Sequence, residues 1–228
     1  MGPFLTCLFV TLPLILVQAQ LSIHSTHDFN LTGEGVDSAW ANSEWIELEK
    51  RTGTQSYDTR VKLLYSGKGI YINFHCEDRQ ITATKTEDFT DLWNEDVFEI
   101  FFWTDESVPL YFEYEISPRN KELAILVPNF NGEFLGWKPW KYEGDRKTRH
   151  HVITEKDEAG KVTRWKGEVF IPYALLRPLQ NVPPVKGTKW RMNIYRIDYD
   201  QGRTTWSWMS VRTNFHDYQS FGSISFDE

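Results

Sequence analysis

Apolar and polar side chains alternate with a period of two along most of this chain, the spacing of strands whose successive residues face opposite sides of a sheet. The alternation predicts strands over residues 60–77, 97–103, 110–116 and 123–127, and again over 163–171, 189–199, 205–211 and 220–226. Turn residues punctuate them. Lys68-Gly69 splits the first run into a hairpin, Lys156-Asp-Glu-Ala-Gly160 and Asp200-Gln-Gly202 mark two more turns, and Pro183-Pro184 with Gly187 precedes the last strands. The one predicted helix is a turn or two over 172–177, stopped by Pro178. Many short strands with almost no helix predict an all-β fold, an antiparallel β-sandwich or barrel. No linker or internal repeat divides the chain, so a single domain is expected.

The strands over 97–103 and 110–116 form a predicted pair. Setting Phe98 opposite Tyr114, Ile100 opposite Phe112 and Phe102 opposite Leu110 brings the apolar residues into register on one face. The other face then sets Glu99 opposite Glu113 and Val97 opposite Glu115. Two carboxylates across one ladder repel unless a cation, a basic side chain or a shared proton intervenes, which marks this face as functional.

The amino-terminal end changes the picture of the compartment. Phe4 to Val17 is an apolar run followed by Val17-Gln-Ala19, the form of an export signal with a small-residue cleavage site, although the run lacks Lys and Arg. Residues 1–19 are therefore expected to be a signal peptide, leaving 20–228 as one exported domain in the periplasm, on the cell surface or secreted. The run is short for a membrane span. Its removal takes Cys7 and leaves Cys76 alone, so no intramolecular disulfide is available and the core must carry the stability. A formal charge of -7 without a Lys/Arg-rich block argues against nucleic acid as a partner. The most basic stretch, Arg146-Lys-Thr-Arg149-His-His151, reads as a solvated loop.

The chemistry concentrates in Leu92-Trp-Asn-Glu-Asp-Val-Phe-Glu-Ile-Phe-Phe-Trp103. An indole offers a flat apolar platform and carboxylates accept hydrogen bonds from hydroxyls, so Trp93 beside Glu95, Asp96 and Glu99 suits a saccharide. Zinc-ligand spacing, a calcium loop, a nucleophile elbow, a P-loop and a dinucleotide fingerprint are all missing from the sequence. Asp37 and Asp78 read as turn caps before they read as metal ligands.

Several segments carry a family resemblance in their order and spacing. They are Gly33-Glu-Gly35-Val-Asp37-Ser-Ala-Trp40, residues 61–74, Asp78, the Trp93 strand, Trp165-Lys-Gly-Glu168-Val-Phe-Ile-Pro172, Trp206-Ser207, and Asn214-Phe-His216-Asp-Tyr-Gln-Ser-Phe221-Gly222. Together they resemble the family 9 carbohydrate-binding modules and their DOMON-like relatives, from about residue 33 to the end. The resemblance implies a jelly-roll sandwich that grips an oligo- or polysaccharide between two aromatic side chains, with polar residues around the sugar and structural Ca2+ nearby. It implies Trp93 as the first platform, Glu99 as a bonding partner of sugar hydroxyls and Phe215 as the second platform, where the family usually has tryptophan. Glu113 stands where one type of member carries a basic sugar-binding residue, a departure for which Arg212 or Arg191 are the candidate substitutes. Asn193 matches a recurrent family position. Tyr218 and Phe221 are alternatives to Phe215, and Trp137 is an exposed or loop-packing candidate. The resemblance names no calcium ligands.

Binding without catalysis is the expected function. Two rivals come from other classes: a glycoside hydrolase using Glu99 and Glu113 as paired carboxylates, and a haem-binding DOMON-like domain using His75 with Met192 or Met209.

Overall fold

The computed structural model describes residues 20–227; the expected signal segment, its cleavage site and Cys7 lie outside the described residues. The first half of the chain supplies β1 (Gln20–Ser25), β2 (Ile46–Glu47), β3 (Glu49–Thr52), β4 (Thr59–Tyr65) and β5 (Gly69–Glu77). Next come β6 (Val97–Trp103), β7 (Leu110–Ile116), β8 (Glu122–Phe130), β9 (Glu133–Phe134) and β10 (Lys138–Pro139). After β11 (Arg149–Lys156) and β12 (Val162–Pro172) follow the one-turn helix α1 (Tyr173–Leu176), then β13 (Lys189–Asp198), β14 (Thr204–Ser207) and β15 (Gly222–Asp227).

Strand pairing runs continuously in the order β10-β8-β7-β6-β13-β15-β1-β4-β5-β12-β11. The path folds over so that its two halves face each other: Phe74 of β5 stacks on Phe98 of β6 with ring centroids 4.5 Å apart, although these strands are not paired. Between the halves lie Ile72, Phe74 and Cys76 of β5, Phe98, Ile100 and Phe102 of β6, Phe112 and Tyr114 of β7, and Met192 and Ile194 of β13. This is the expected all-β sandwich, with one correction. β1 pairs in parallel with both β15 and β4, so the sandwich is antiparallel everywhere except where the chain's first described strand bridges its two halves. Burial pushes the thiol of Cys76, the one cysteine among the described residues, up to about 12, which leaves it un-ionised at neutral pH.

Two further corrections concern register and a loop. Phe98 faces Ile116, Ile100 faces Tyr114 and Phe102 faces Phe112, a shift of two residues from the expected pairing. A two-residue shift keeps every side chain on its face, so the apolar match survives, but Glu99 now opposes Glu115 while Glu113 opposes Phe101. The basic stretch is not a free loop: from Arg149 it forms edge strand β11, paired along β12. Its charged, half-exposed residues are what an edge strand needs to discourage pairing with other chains.

The motif at residues 33–40 forms a turn and the start of a short 3-10 helix. Asp37 caps it, accepting from the Ala39 N–H at 2.9 Å. Glu168, buried on β12, holds the segment down: its Oε2 accepts from Thr32 N and Gly33 N, both at 2.8 Å, and its Oε1 from the Trp40 indole N–H at 2.7 Å. Gly33 takes φ +82°, open to glycine, as it passes the His151 backbone. Glu168→Gln turns one acceptor into a donor facing donors, and is expected to lower stability by about 2 to 3 kcal/mol. Chemical denaturation checks this; a midpoint indistinguishable from the parent protein would mean that Trp40 and the glycines hold the segment without the carboxylate.

Candidate functional site

The outward face of β6, β7, β8 and β13 carries Val97, Glu99, Phe101, Tyr111, Glu113, Glu115, Leu123, Ile125, Tyr195 and Ile197. Such a face would ordinarily be wet, yet these residues are buried, because the loops at 80–96, 130–137 and 208–221 lie over it. Where the loops part, a cavity of about 380 Å³ opens, at the lower end of the roughly 300–1,000 Å³ typical of small-molecule sites.

Aromatic rings form the cavity walls. Trp93 meets Trp137 edge to face at 5.4 Å. Phe215 stacks on Tyr195 at 4.1 Å, and Phe134 on His216 at 4.0 Å. Tyr199 also lines the space and donates from its hydroxyl to the Trp93 carbonyl at 3.0 Å, fixing the loop that carries the first indole. The wall rings come from four separate segments, Trp93 from one, Phe134 and Trp137 from a second, Tyr199 from a third and Phe215 with His216 from a fourth, so the site exists only when the sheet holds those segments together.

The floor is acidic. Glu99, Glu113 and Glu115 line the cavity and expose 2%, 3% and 1% of their surface. Burial pushes Glu99 up to about 8, against the pull of Arg203. Burial and the neighbouring Glu99 hold Glu113 and Glu115 well above the usual carboxylate range. Glu113 and Glu115 are two apart on one strand face and share a hydrogen bond, yet Oε2 of each is buried without a hydrogen-bond partner. His216 Nδ1, 3.7 Å from Glu113, bonds Tyr111 Oη at 2.7 Å, and burial lowers this imidazole to about 4, so it brings no charge at neutral pH.

Four expected site residues, Trp93, Glu99, Glu113 and Phe215, thus meet around one cavity. Two do not line it. Arg212 turns to Asp217, donating from Nε at 3.0 Å and from Nη2 at 2.5 Å. Asn193 is fully buried and spends its amide internally: Nδ2 donates to Tyr195 Oη and the Met209 carbonyl, and Oδ1 accepts from Ile194 N and Met209 N. It fixes Tyr195, whose hydroxyl in turn donates to the Phe215 carbonyl at 2.8 Å, one layer behind the cavity. Arg191 is also elsewhere, bonding Glu106 and the Phe221 carbonyl. The cation that does line the cavity is Arg203, in the turn before β14, with its guanidinium 5.6 Å above the Phe215 ring. Of the alternative rings, Tyr218 and Phe221 are buried and do not line the cavity, whereas Phe215 does. Trp137, an exposed or loop-packing candidate in the sequence, and Phe134, which the sequence reading missed, complete the walls; their place in a Gly- and Pro-punctuated segment was the available signal.

The haem pair does not form. Met192 points into the core, while His75 leaves the outer side of β5, beside Trp45 and Arg60. Met209 bonds Asn193 on the other outer face.

Calcium was expected from the resemblance. Among the described residues one set of three acids converges, Asp78, Asp198 and Asp200, with oxygens within 4.8 Å of one another. The Arg196 guanidinium already stands among them, Nη2 lying 3.3 Å from Asp78 and 2.7 Å from Asp198, and Tyr57 donates to Asp200 at 2.7 Å. A calcium ion would crowd that fixed charge, so these residues do not fit it. Asp78 still caps its turn, accepting from Gln80 N at 2.9 Å.

Comparison with known proteins places the fold. A carbohydrate-binding module family 9 protein of Caldicellulosiruptor kristjanssonii in complex with cellotriose matches 92% of this chain and 94% of its own, with a TM-score of 0.66. Its glucose complex matches with a TM-score of 0.63, covering 92% of this chain and 96% of that one. A candidate carbohydrate-binding protein from Bacteroides uniformis matches 92% of this chain and 100% of its own, with a TM-score of 0.76. All three are 16% identical to this chain, a likeness of fold. In sequence, an extracellular protein of Arthroderma benhamiae is 29% identical over 144 residues, and a UPF0462 protein of Mus musculus is 27% identical over 90. These matches cover 60% and 40% of this chain but only 62% and 39% of the relatives. The model of the carbohydrate family 9 binding domain-like family matches residues 31–227, every strand of the sandwich after β1, and the chain belongs to that family.

Proposed function

We propose that the protein is an exported, non-catalytic saccharide-binding module whose site is the Trp93 cavity. The observation that carries this reading is the combination of aromatic walls and an acidic floor in one space. The indoles of Trp93 and Trp137 offer surface to stack on the apolar face of a pyranose, Phe215 closes the wall between Tyr195 and the exposed Arg203, and Glu99, Glu113 and Glu115 bond the sugar's hydroxyls. The cavity volume suits a short stretch of glycan, one or two units. Export is supported by the apolar leader of the sequence and by the extracellular relative. No helix among the described residues is long and apolar enough to cross a membrane.

Hydrolysis fits the floor poorly. A glycosidase needs two carboxyl groups whose environments push them apart, one ionised and one protonated. Here burial pushes all three in the same direction.

Trp93→Ala tests the proposal. Titration with cellotriose and glucose, the sugars bound by the structural relatives, is expected to show affinity falling about ten- to a hundredfold, or about 1.5 to 3 kcal/mol. The melting temperature should hardly move, because the indole is only partly buried. A large drop in melting temperature with unchanged affinity in the folded fraction would remove Trp93 from the site.

A further inference from the structure

The acidic floor is more than a neutral sugar needs. Three buried carboxyl groups share one cavity, and the groups facing them from every packed element offer little compensation. β6 brings Glu99, β7 brings Tyr111, Glu113 and Glu115, and β8 brings Ile125. The Trp93 loop brings Asn94, with Asp91 close enough to add to the negative field at Glu115. β13 and its following turn bring Tyr195, Tyr199 and Arg203, and the last loop brings Asn214 and His216. Of these, Arg203 alone is a fixed cation, and it is exposed, leaning over Phe215.

Two of the acids also hold unused acceptors: Oε2 of Glu113 and Oε2 of Glu115 are buried without hydrogen-bond partners. A buried acceptor left unmade is costly, and a ligand donor that reaches it recovers that cost. The three carboxyl groups do not gather tightly around one point; among the described residues the acids that converge within 4.8 Å are Asp78, Asp198 and Asp200. The floor therefore fits a donor carried on a larger molecule better than a bare metal ion. The walls add a second preference, since the faces of Trp93, Trp137, Phe134 and Phe215 attract a cation as well as they stack on a sugar ring.

We infer that the saccharide taken by this site carries a free amine: an amino sugar whose ammonium group sits among Glu99, Glu113 and Glu115 while its ring stacks on the Trp93 wall. The inference rests on the saccharide reading above. An ammonium brings three donors and a positive charge that favours the ionised form of these carboxyl groups, so its binding releases protons that burial holds on them in the free protein; a neutral hydroxyl brings one donor and no charge and releases none. N-acetylation removes that charge and adds bulk, so acetylated sugars lose the advantage.

The test is calorimetric titration of the protein with D-glucosamine, D-glucose, N-acetyl-D-glucosamine and choline at pH 6.5, repeated on a Glu113→Gln, Glu115→Gln double variant. Glucosamine is expected to bind about tenfold more tightly than glucose. N-acetylglucosamine should show no such gain, and in the double variant the ratio of glucosamine to glucose affinity should fall close to one. Glutamine keeps the size of each side chain and cannot ionise, and a melting curve verifies that the variant is folded. If that variant unfolds, Glu99→Gln is titrated in its place, with the same fall in ratio expected. Glucose binding as well as glucosamine would overturn the inference and leave the saccharide reading standing. Choline binding as tightly as glucosamine would overturn the sugar part of it. Binding of none of the sugars would overturn both readings, and an unchanged ratio in the folded variant would remove the acidic floor from recognition.

Discussion

Replacing Arg196 with methionine is expected to lower stability by about 3 to 5 kcal/mol, the cost of leaving buried charges without their partner. The side chain enters the core from β13 with no exposed surface. It donates to Thr59 Oγ1 at 3.1 Å, meets Asp78 and Asp198 as described, and lies 4.8 Å over the Trp206 ring. Methionine fills the space of the stem but offers nothing to the two aspartates, whose burial already pushes Asp78 up to about 7 and raises Asp198. For a domain of this size the melting temperature should fall by about 10 °C. Adding Asp78→Asn and Asp198→Asn should recover most of the loss, because neutral amides do not require the guanidinium. A fall below about 2 °C in the single variant, within the scatter of small surface changes, would show that the aspartates already keep their protons and that the arginine is structurally idle.

The strands were legible because alternation is strong wherever one face of a sheet is buried. The runs at 97–103 and 110–116 match β6 and β7 at both ends. Register was not legible, since Phe98 opposite Tyr114 and Phe98 opposite Ile116 both put apolar residues on the core face, and only the length of the connecting turn separates them. β1 escaped for another reason. Its pattern commits only Ile23 to the core, and its partners, β15 and β4, are distant in sequence and joined to it by no turn. β11 escaped because an edge strand keeps its charges.

The site was half legible. Trp93, Glu99 and Glu113 sit on or beside a strand whose phase fixes their direction, so a sequence pattern reaches them. Arg203, Phe134 and Trp137 reach the cavity through loops whose paths depend on what they cover, and no local spacing encodes that. Arg212 was a candidate substitute for the basic residue that Glu113 replaces, but Asp217, five residues on, captures its backbone N–H and its guanidinium together. Asn193 had a real role that a residue-type argument could not separate from ligand binding: a buried amide is equally suited to pinning Tyr195 and the Met209 backbone.

Stability should be highest near pH 4 and fall toward pH 8, the reverse of a protein held together by ionised surface carboxylates. Burial, as the leading cause, raises Asp78 to about 7 and Asp96 and Glu99 to about 8, and it raises Glu113, Glu115 and Asp198 as well. An unfolded carboxyl titrates near about 4. Between that value and the raised one the native state holds the extra proton, so the stability these groups contribute is complete below about pH 4 and is lost as pH rises through the raised values. Two groups oppose the trend over part of the range. Burial lowers His75 and His216 to about 4, so the unfolded chain binds the extra proton up to about pH 6.5, where the opposition ends. On the acid side, Arg212 pulls Asp217 down to about 2, and Glu122 also falls to about 2 because bonds from His150, Thr148 and Tyr114 outweigh its burial. Their contribution is present above about pH 4 and is lost as pH falls through 2. Melting temperature from pH 5 to pH 8 should therefore drop by about 5 °C or more, the equivalent of a single carboxyl proton released over one to two pH units. The Glu113→Gln, Glu115→Gln variant should show a shallower fall, having lost two of the groups that cause it. A melting temperature that rises steadily from pH 5 to pH 8 would mean that these acids are already ionised in the folded protein, and with them charged the cavity floor would be a fixed anionic surface at every pH tested.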